Sequence, residues 1–243
     1  MATPLLAETP RHTLLVRITH WLSTLLFVAL LISGIEILIS HPRFYWGEVG
    51  NVNTEPLFRI PIPASRATVP TGYAYVLPDQ NGWSRYLHFQ AAWFVVFTGL
   101  LYGIVSLRNG HFRDHLLPAR QSLSWPALSH SLRQHLRFQP SPSSSYNLFQ
   151  RLAYLGVVFL LFPLMIWTGL AMSPSFTSAF PATVTAFGGQ QSARTLHFFF
   201  TVLLVLFVVI HVLMVYRSGF LARVRAMTVG PDPTCNPTDR ENS

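Results

Sequence analysis

The chain has 243 residues, half of them hydrophobic and only 11% charged, which excludes an ordinary soluble domain and indicates a membrane protein. All 17 basic residues are arginine, so the basic balance reads as arginine at helix ends, not as a nucleic-acid-binding surface. The single cysteine, Cys235, excludes a disulfide framework and a cysteine-ligated iron–sulfur cluster, and without C-x-x-C-H any haem is held non-covalently.

A short polar arm, residues 1–12, leads into a first apolar span at about 14–39, entered through VRITHW and carrying Glu36 near its far end. No secretory cleavage pattern follows it, so it reads as retained. Residues 40–83 form a long connection rich in Pro, Gly and aromatics, and an aperiodic loop of this length is usually functional. The second span, about 85–107, contains Gly99 and Gly103, which either permit close helix approach or make room for a porphyrin. Residues 108–147 are basic and polar. Within them Trp125, Leu128, Leu132 and Leu136 recur at helical spacing, as in an amphipathic helix lying on the membrane surface. The third span, about 148–172, has no histidine and is expected to kink at Pro163. A short connection leads to the fourth span, about 193–216, and residues 221–243 form a polar tail. The expected fold is therefore all-α, an integral membrane four-helix bundle. Arginine is denser in the arm, the 108–151 region and the C-terminal flank, so the positive-inside rule predicts both termini in the cytoplasm and the 40–83 loop outside.

Ionisable residues inside a span are costly and usually functional. Four histidines qualify: His20, His88, His197 and His211. His197 and His211 are fourteen residues apart on one helix. That separation returns to within about 40° of the same face and covers roughly 21 Å. With alternating span direction, His20 and His211 lie at one depth near the inner face, and His88 and His197 at another near the outer face. Opposed neutral imidazoles from facing helices are what a b-type haem requires, so the pairs His20–His211 and His88–His197 predict two haem b groups and four iron ligands. Arg17, Arg85 and Arg194 each precede a histidine by three residues, on the same face and one turn nearer water. They are candidates for the haem propionates, with interfacial anchoring as the plainer role. A proton relay or a transition-metal site is the other reading of the four histidines. His12, His41, His111, His115, His130 and His135 read as loop or interfacial residues. Glu36 and His41 either relay protons at the outer face or simply end the span.

The chain also resembles the di-haem cytochrome b membrane subunits, the group containing the b-type subunits of nickel–iron hydrogenase, formate dehydrogenase and thiosulfate reductase. The thiosulfate-reductase-type branch is the most similar. The residues that carry the resemblance are Arg17–Trp21 (R-x-x-H-W), Ser33–Glu48, His88, Tyr146–Pro174, Phe187–Phe200 and His211, in order across all four spans. The fifth span usual in hydrogenase-type subunits is missing, and Glu36 stands where a neutral polar residue is expected. The resemblance implies two b haems at His20, His88, His197 and His211. It also implies electron exchange between a quinone or quinol and a redox partner, often a periplasmic molybdopterin enzyme, in a bacterial inner membrane. Two other functions are consistent with the residues. One is a self-sufficient quinone-linked oxidoreductase acting on a small species such as superoxide; the other is a haem-free transporter or anchor whose histidines handle protons or metal.

Overall fold

The computed structural model describes residues 14–51, 53–62, 80–108, 129, 152–153, 155–217 and 219–229. The amphipathic stretch around residues 125–136 falls outside them, Ser129 excepted, as do the arm before Leu14 and the tail beyond Val229. Three helices are long and apolar enough to cross a membrane: α1 (Leu14–Ser40), α2 (Gln80–Arg108) and, further along, α6 (Gln190–Arg217). Large apolar side chains such as Leu25, Phe97 and Leu206 are exposed along all three, whereas the fully buried side chains include Ser33, Ser84, Thr168, Ser192 and Thr195. This inverts a soluble core. Lipid solvates the aliphatic faces, and small hydroxyl residues let helix backbones approach and hydrogen-bond.

The third expected span is shorter in its described part, an apolar stretch Val157–Ala171. It opens with a π turn, Val157–Leu161, in which the Phe162 N–H reaches back to the Val157 carbonyl. Helix α3 (Phe162–Ala171) follows, with Pro163 in its first turn. Proline offers no N–H to the carbonyl four residues back, and a wide turn accommodates the mismatch. The expected kink therefore takes the form of a π turn. Two short helices, α4 (Pro174–Ala179) and α5 (Ala182–Thr185), carry the chain to Gly188 and Gly189, both at positive φ, and into α6.

Helix α1 packs along α2, and α3 along α6. Helix α1 ends before Pro42, which removes a donor and disfavours helix in the preceding residue. The chain then forms a small antiparallel ribbon, β1 (Arg43–Phe44) with β2 (Phe58–Arg59), in the register Arg43↔Arg59 and Phe44↔Phe58.

This ribbon and the turn after it sit on the start of α6. The Gly47 carbonyl accepts from the Gln191 and Ser192 amides at 3.0 and 3.2 Å. A Glu48 carboxylate oxygen accepts from the Gln190 amide at 3.1 Å, and the Gly47 amide donates to Ser192 Oγ at 2.7 Å. The first amides of a helix have no partner within it, and a carboxylate also complements the helix dipole there. Phe44, 2% exposed, stacks on Phe58 and packs against Phe198. The described part of the loop is thus a docked cover, placed one turn above His197.

At the opposite end Gly219 turns the chain at φ 94° into α7 (Phe220–Thr228), which returns beneath the start of α1. The Trp21 indole donates to the Met227 carbonyl at 3.1 Å, and an Arg17 Nη donates to the Thr228 carbonyl at 3.2 Å. Two side chains one turn apart on α1 thereby satisfy carbonyls left open at the end of α7.

Candidate functional site

Four histidines line the space between the α1–α2 and α3–α6 layers, and they meet in two pairs. The imidazole centres of His20 and His211 are 6.3 Å apart with planes at 51°. Those of His88 and His197 are also 6.3 Å apart, with planes at 64°. A coordinated imidazole nitrogen lies about 2.0 Å from its metal and about 1.1 Å from the centre of its own ring, so two imidazoles on opposite sides of one metal have centres about 6.2 Å apart. Both pairs match that spacing.

Among the described residues no cluster of three or more His, Cys, Asp or Glu could hold a metal ion. A bare transition metal takes three or four protein ligands, whereas a haem iron already has four nitrogens from its porphyrin and needs two more. Two isolated imidazole pairs therefore fit haem and do not fit a protein-only metal centre. A second observation agrees. His20 Nδ1 and Arg17 Nε are buried without a hydrogen-bond partner. Buried polar atoms are normally satisfied, so an orphaned guanidinium N–H one turn from His20 suits a carboxylate of the kind a porphyrin carries.

The pair His88–His197, on the side of the loop, is closely supported. Ser33 Oγ on α1 lies 3.0 Å from His88 Nδ1, and Thr168 Oγ1 on α3 lies 2.9 Å from His197 Nδ1. A Cβ on Gly34 would stand 3.5 Å from His88 Cε1, and one on Gly169 would stand 3.6 Å from His197 Cε1. These residues were not legible as functional in the sequence. The signal that marks them is a repeated hydroxyl–glycine dipeptide, Ser33-Gly34 and Thr168-Gly169, inside two apolar helices.

The pair His20–His211, on the side of α7, is more open. His20 meets Trp21 edge-on, and His211 stacks on Phe207. By helical rise, Gly99 and Gly103 on α2 and Gly156 before the π turn lie near this depth. None has a described atom within 4 Å of its Cβ position. Among the described residues neither Gly99 nor Gly103 makes a close contact at its Cβ position, which leaves room there for a large planar group.

The three flanking arginines differ in their surroundings. Arg194 donates from Nη2 to the carbonyls of His41 and Arg43 and from Nη1 to Gln191, and its guanidinium lies 5.1 Å over the Phe44 ring. It spends two of its five N–H groups holding the loop and a third on Gln191 of its own helix. Arg17 is shared between α7 and the buried space beside His20. Arg85 is exposed one turn from His88.

A multi-pass helical membrane protein with facing histidine pairs at two depths has the architecture of membrane-bound b-type cytochromes. The chain belongs to the prokaryotic cytochrome b561 family, whose model matches residues 11–230. It is a membrane haem protein of the electron-transfer class. It is similar to a putative protein-methionine-sulfoxide reductase subunit, YedZ1, of Azospira oryzae, with 29% identity over 211 residues, covering 84% of this chain and 89% of that one. No solved structure matches the chain.

Proposed function

We propose that this protein holds two b haems, one between His20 and His211 and one between His88 and His197. We propose further that it carries electrons between a membrane quinone pool and a redox protein outside the membrane, of the molybdopterin oxidoreductase class. The observation that carries the reading is the equal 6.3 Å separation of two imidazole pairs about fourteen residues apart in depth.

When bound, haem supplies a one-electron couple, and no bond chemistry is asked of a side chain. The chain's own part is to hold four neutral imidazoles in line, exclude water with lipid-facing aliphatic side chains, and offer guanidinium groups to carboxylates. Arg17, with its unpartnered buried Nε, suits a propionate on the α7 side. Arg85 and the remaining N–H groups of Arg194 suit the loop side. The arginine distribution orients the loop outward, so the loop-side haem faces the partner. The described relative bears a name that makes it a reductase subunit, which supports a protein partner over the self-sufficient alternative. Family membership sets aside the haem-free transporter or anchor.

The test is stoichiometry followed by turnover. Purified protein should contain two haems per chain by pyridine haemochrome assay, and a quinol analogue should reduce them. A ratio of one, or no reduction by quinol, removes the respective half of the proposal.

A further inference from the structure

The hydroxyl–glycine pairs beside the loop-side histidines have a chemical consequence. Ser33 and Thr168 are both fully buried. Ser33 Oγ donates to the Ala29 carbonyl at 2.7 Å, with the Leu30 carbonyl at 3.2 Å. Thr168 Oγ1 donates to the Leu164 carbonyl at 2.8 Å, with the Met165 carbonyl at 3.0 Å. A hydroxyl has one proton, and a carbonyl can only accept. Where each hydroxyl gives that proton to its own helix, it meets the ring nitrogen with a lone pair. In that arrangement each Nδ1 carries the proton and the lone pair of each neutral ring sits on Nε2. The glycines leave each ring its room, since a Cβ at Gly34 or Gly169 would stand in van der Waals contact with the ring's Cε1.

We infer that Ser33-Gly34 and Thr168-Gly169 are positioning pairs that fix the tautomer and the plane of the two loop-side ligands, and thereby tune the loop-side haem separately from its partner. The two units are alike down to the register: carbonyls four and three residues before the hydroxyl, then glycine one residue after it. Each unit acts across one helix pair, α1 on α2 and α3 on α6. A ligating imidazole that donates its other N–H becomes more electron-rich and stabilises the ferric state. The hydroxyls therefore hold the loop-side potential down and anchor the two ring planes, which lie at 64°. His20 Nδ1 is buried without such an acceptor, so the α7-side centre lacks this device. The inference rests on the loop-side pair ligating one haem.

The experiment uses the full chain in nanodiscs, with Ser33→Ala, Thr168→Val, their combination, and the conservative Ser33→Thr and Thr168→Ser. Optical redox titration should show one midpoint moving positive in each deleting variant, further in the double variant, with the other midpoint unchanged. The low-spin EPR signal of the same centre, strongly anisotropic for steeply inclined imidazole planes, should change its largest g value. The conservative variants should restore both readouts. In haem-depleted protein, nitrogen NMR of labelled histidine should report Nδ1–H tautomers for His88 and His197. Unchanged potentials and EPR in the double variant, a negative shift, or the opposite tautomer would overturn the inference. Should Thr168→Val fail to fold, Ser33→Ala removes only an oxygen and decides the matter alone. Failure of the parent reading is distinct, because unsubstituted protein would then already lack a second haem.

Discussion

At the loop side, each imidazole of His88–His197 meets a hydroxyl from a neighbouring helix, next in sequence to a glycine, and the described part of the loop lies one turn above. At the α7 side, the same 6.3 Å separation is held with less help: His20 Nδ1 is unpartnered, and the nearby glycines border open space. The spacing of two ligands across a gap is thus separable from the shell that fixes their orientation. The loop-side pair is oriented by protein contacts, whereas in the proposed reading the other would be completed by the group it holds. Pre-organised ligands lose less freedom on binding, so the loop-side centre should bind its haem more tightly and report more sharply on nearby substitutions.

The largest effect that would break this comparison comes from the ligands themselves. His197→Ala should eliminate the loop-side haem, halving haem content, and leave Thr168 Oγ1 facing a void. Retention of both haems would end the assignment. His211→Ala should remove only the α7-side haem and leave the loop-side midpoint in place. Loss of the loop-side haem instead would reverse the pairing.

Gly189→Ala sharpens the role of the docked loop. Gly189 has φ 129°, and a Cβ there would stand 2.4 Å from the Gly47 carbonyl carbon. Backbone strain of this kind costs on the order of 1–3 kcal/mol, and the clash adds to it. Hydrogen exchange should rise at residues 43–48 and at the first amides of α6, with the loop-side spectrum altered and the other unchanged. Equal disturbance of both spectra would mean that the loop supports the whole bundle. The smallest effect belongs to Glu48→Gln. It removes a carboxylate from the α6 N-terminus, costing about 0.3–1 kcal/mol at low salt. Thermal loss of the loop-side haem signal should begin a few degrees earlier, with the difference shrinking in high salt.

Much of the site was legible because its signals are local. The apolar runs, the fourteen-residue step from His197 to His211 and the alternating span direction fix depth and face without reference to any neighbour. Ser33 and Thr168 were hidden because a hydroxyl inside an apolar helix ordinarily bonds its own backbone, as both also do here. The arginine triplet was legible as a repeat, but its three members are used differently. Arg194 is drawn to loop carbonyls some 150 residues earlier in the chain, and no spacing within its own helix could indicate that.

Sequence alone determined the helical membrane class, because hydrophobic length and helical phase are properties of each segment by itself; of the four spans it led one to expect, three are helices long and apolar enough to cross a membrane among the described residues. Tertiary structure alone decided which helix stands beside which: α1 against α2, α3 against α6, the loop on the start of α6, and α7 beneath α1. Those adjacencies select the hydroxyls and carbonyls that meet each imidazole, and hydrogen bonding at ångström range depends on packing between distant segments, which periodicity does not encode.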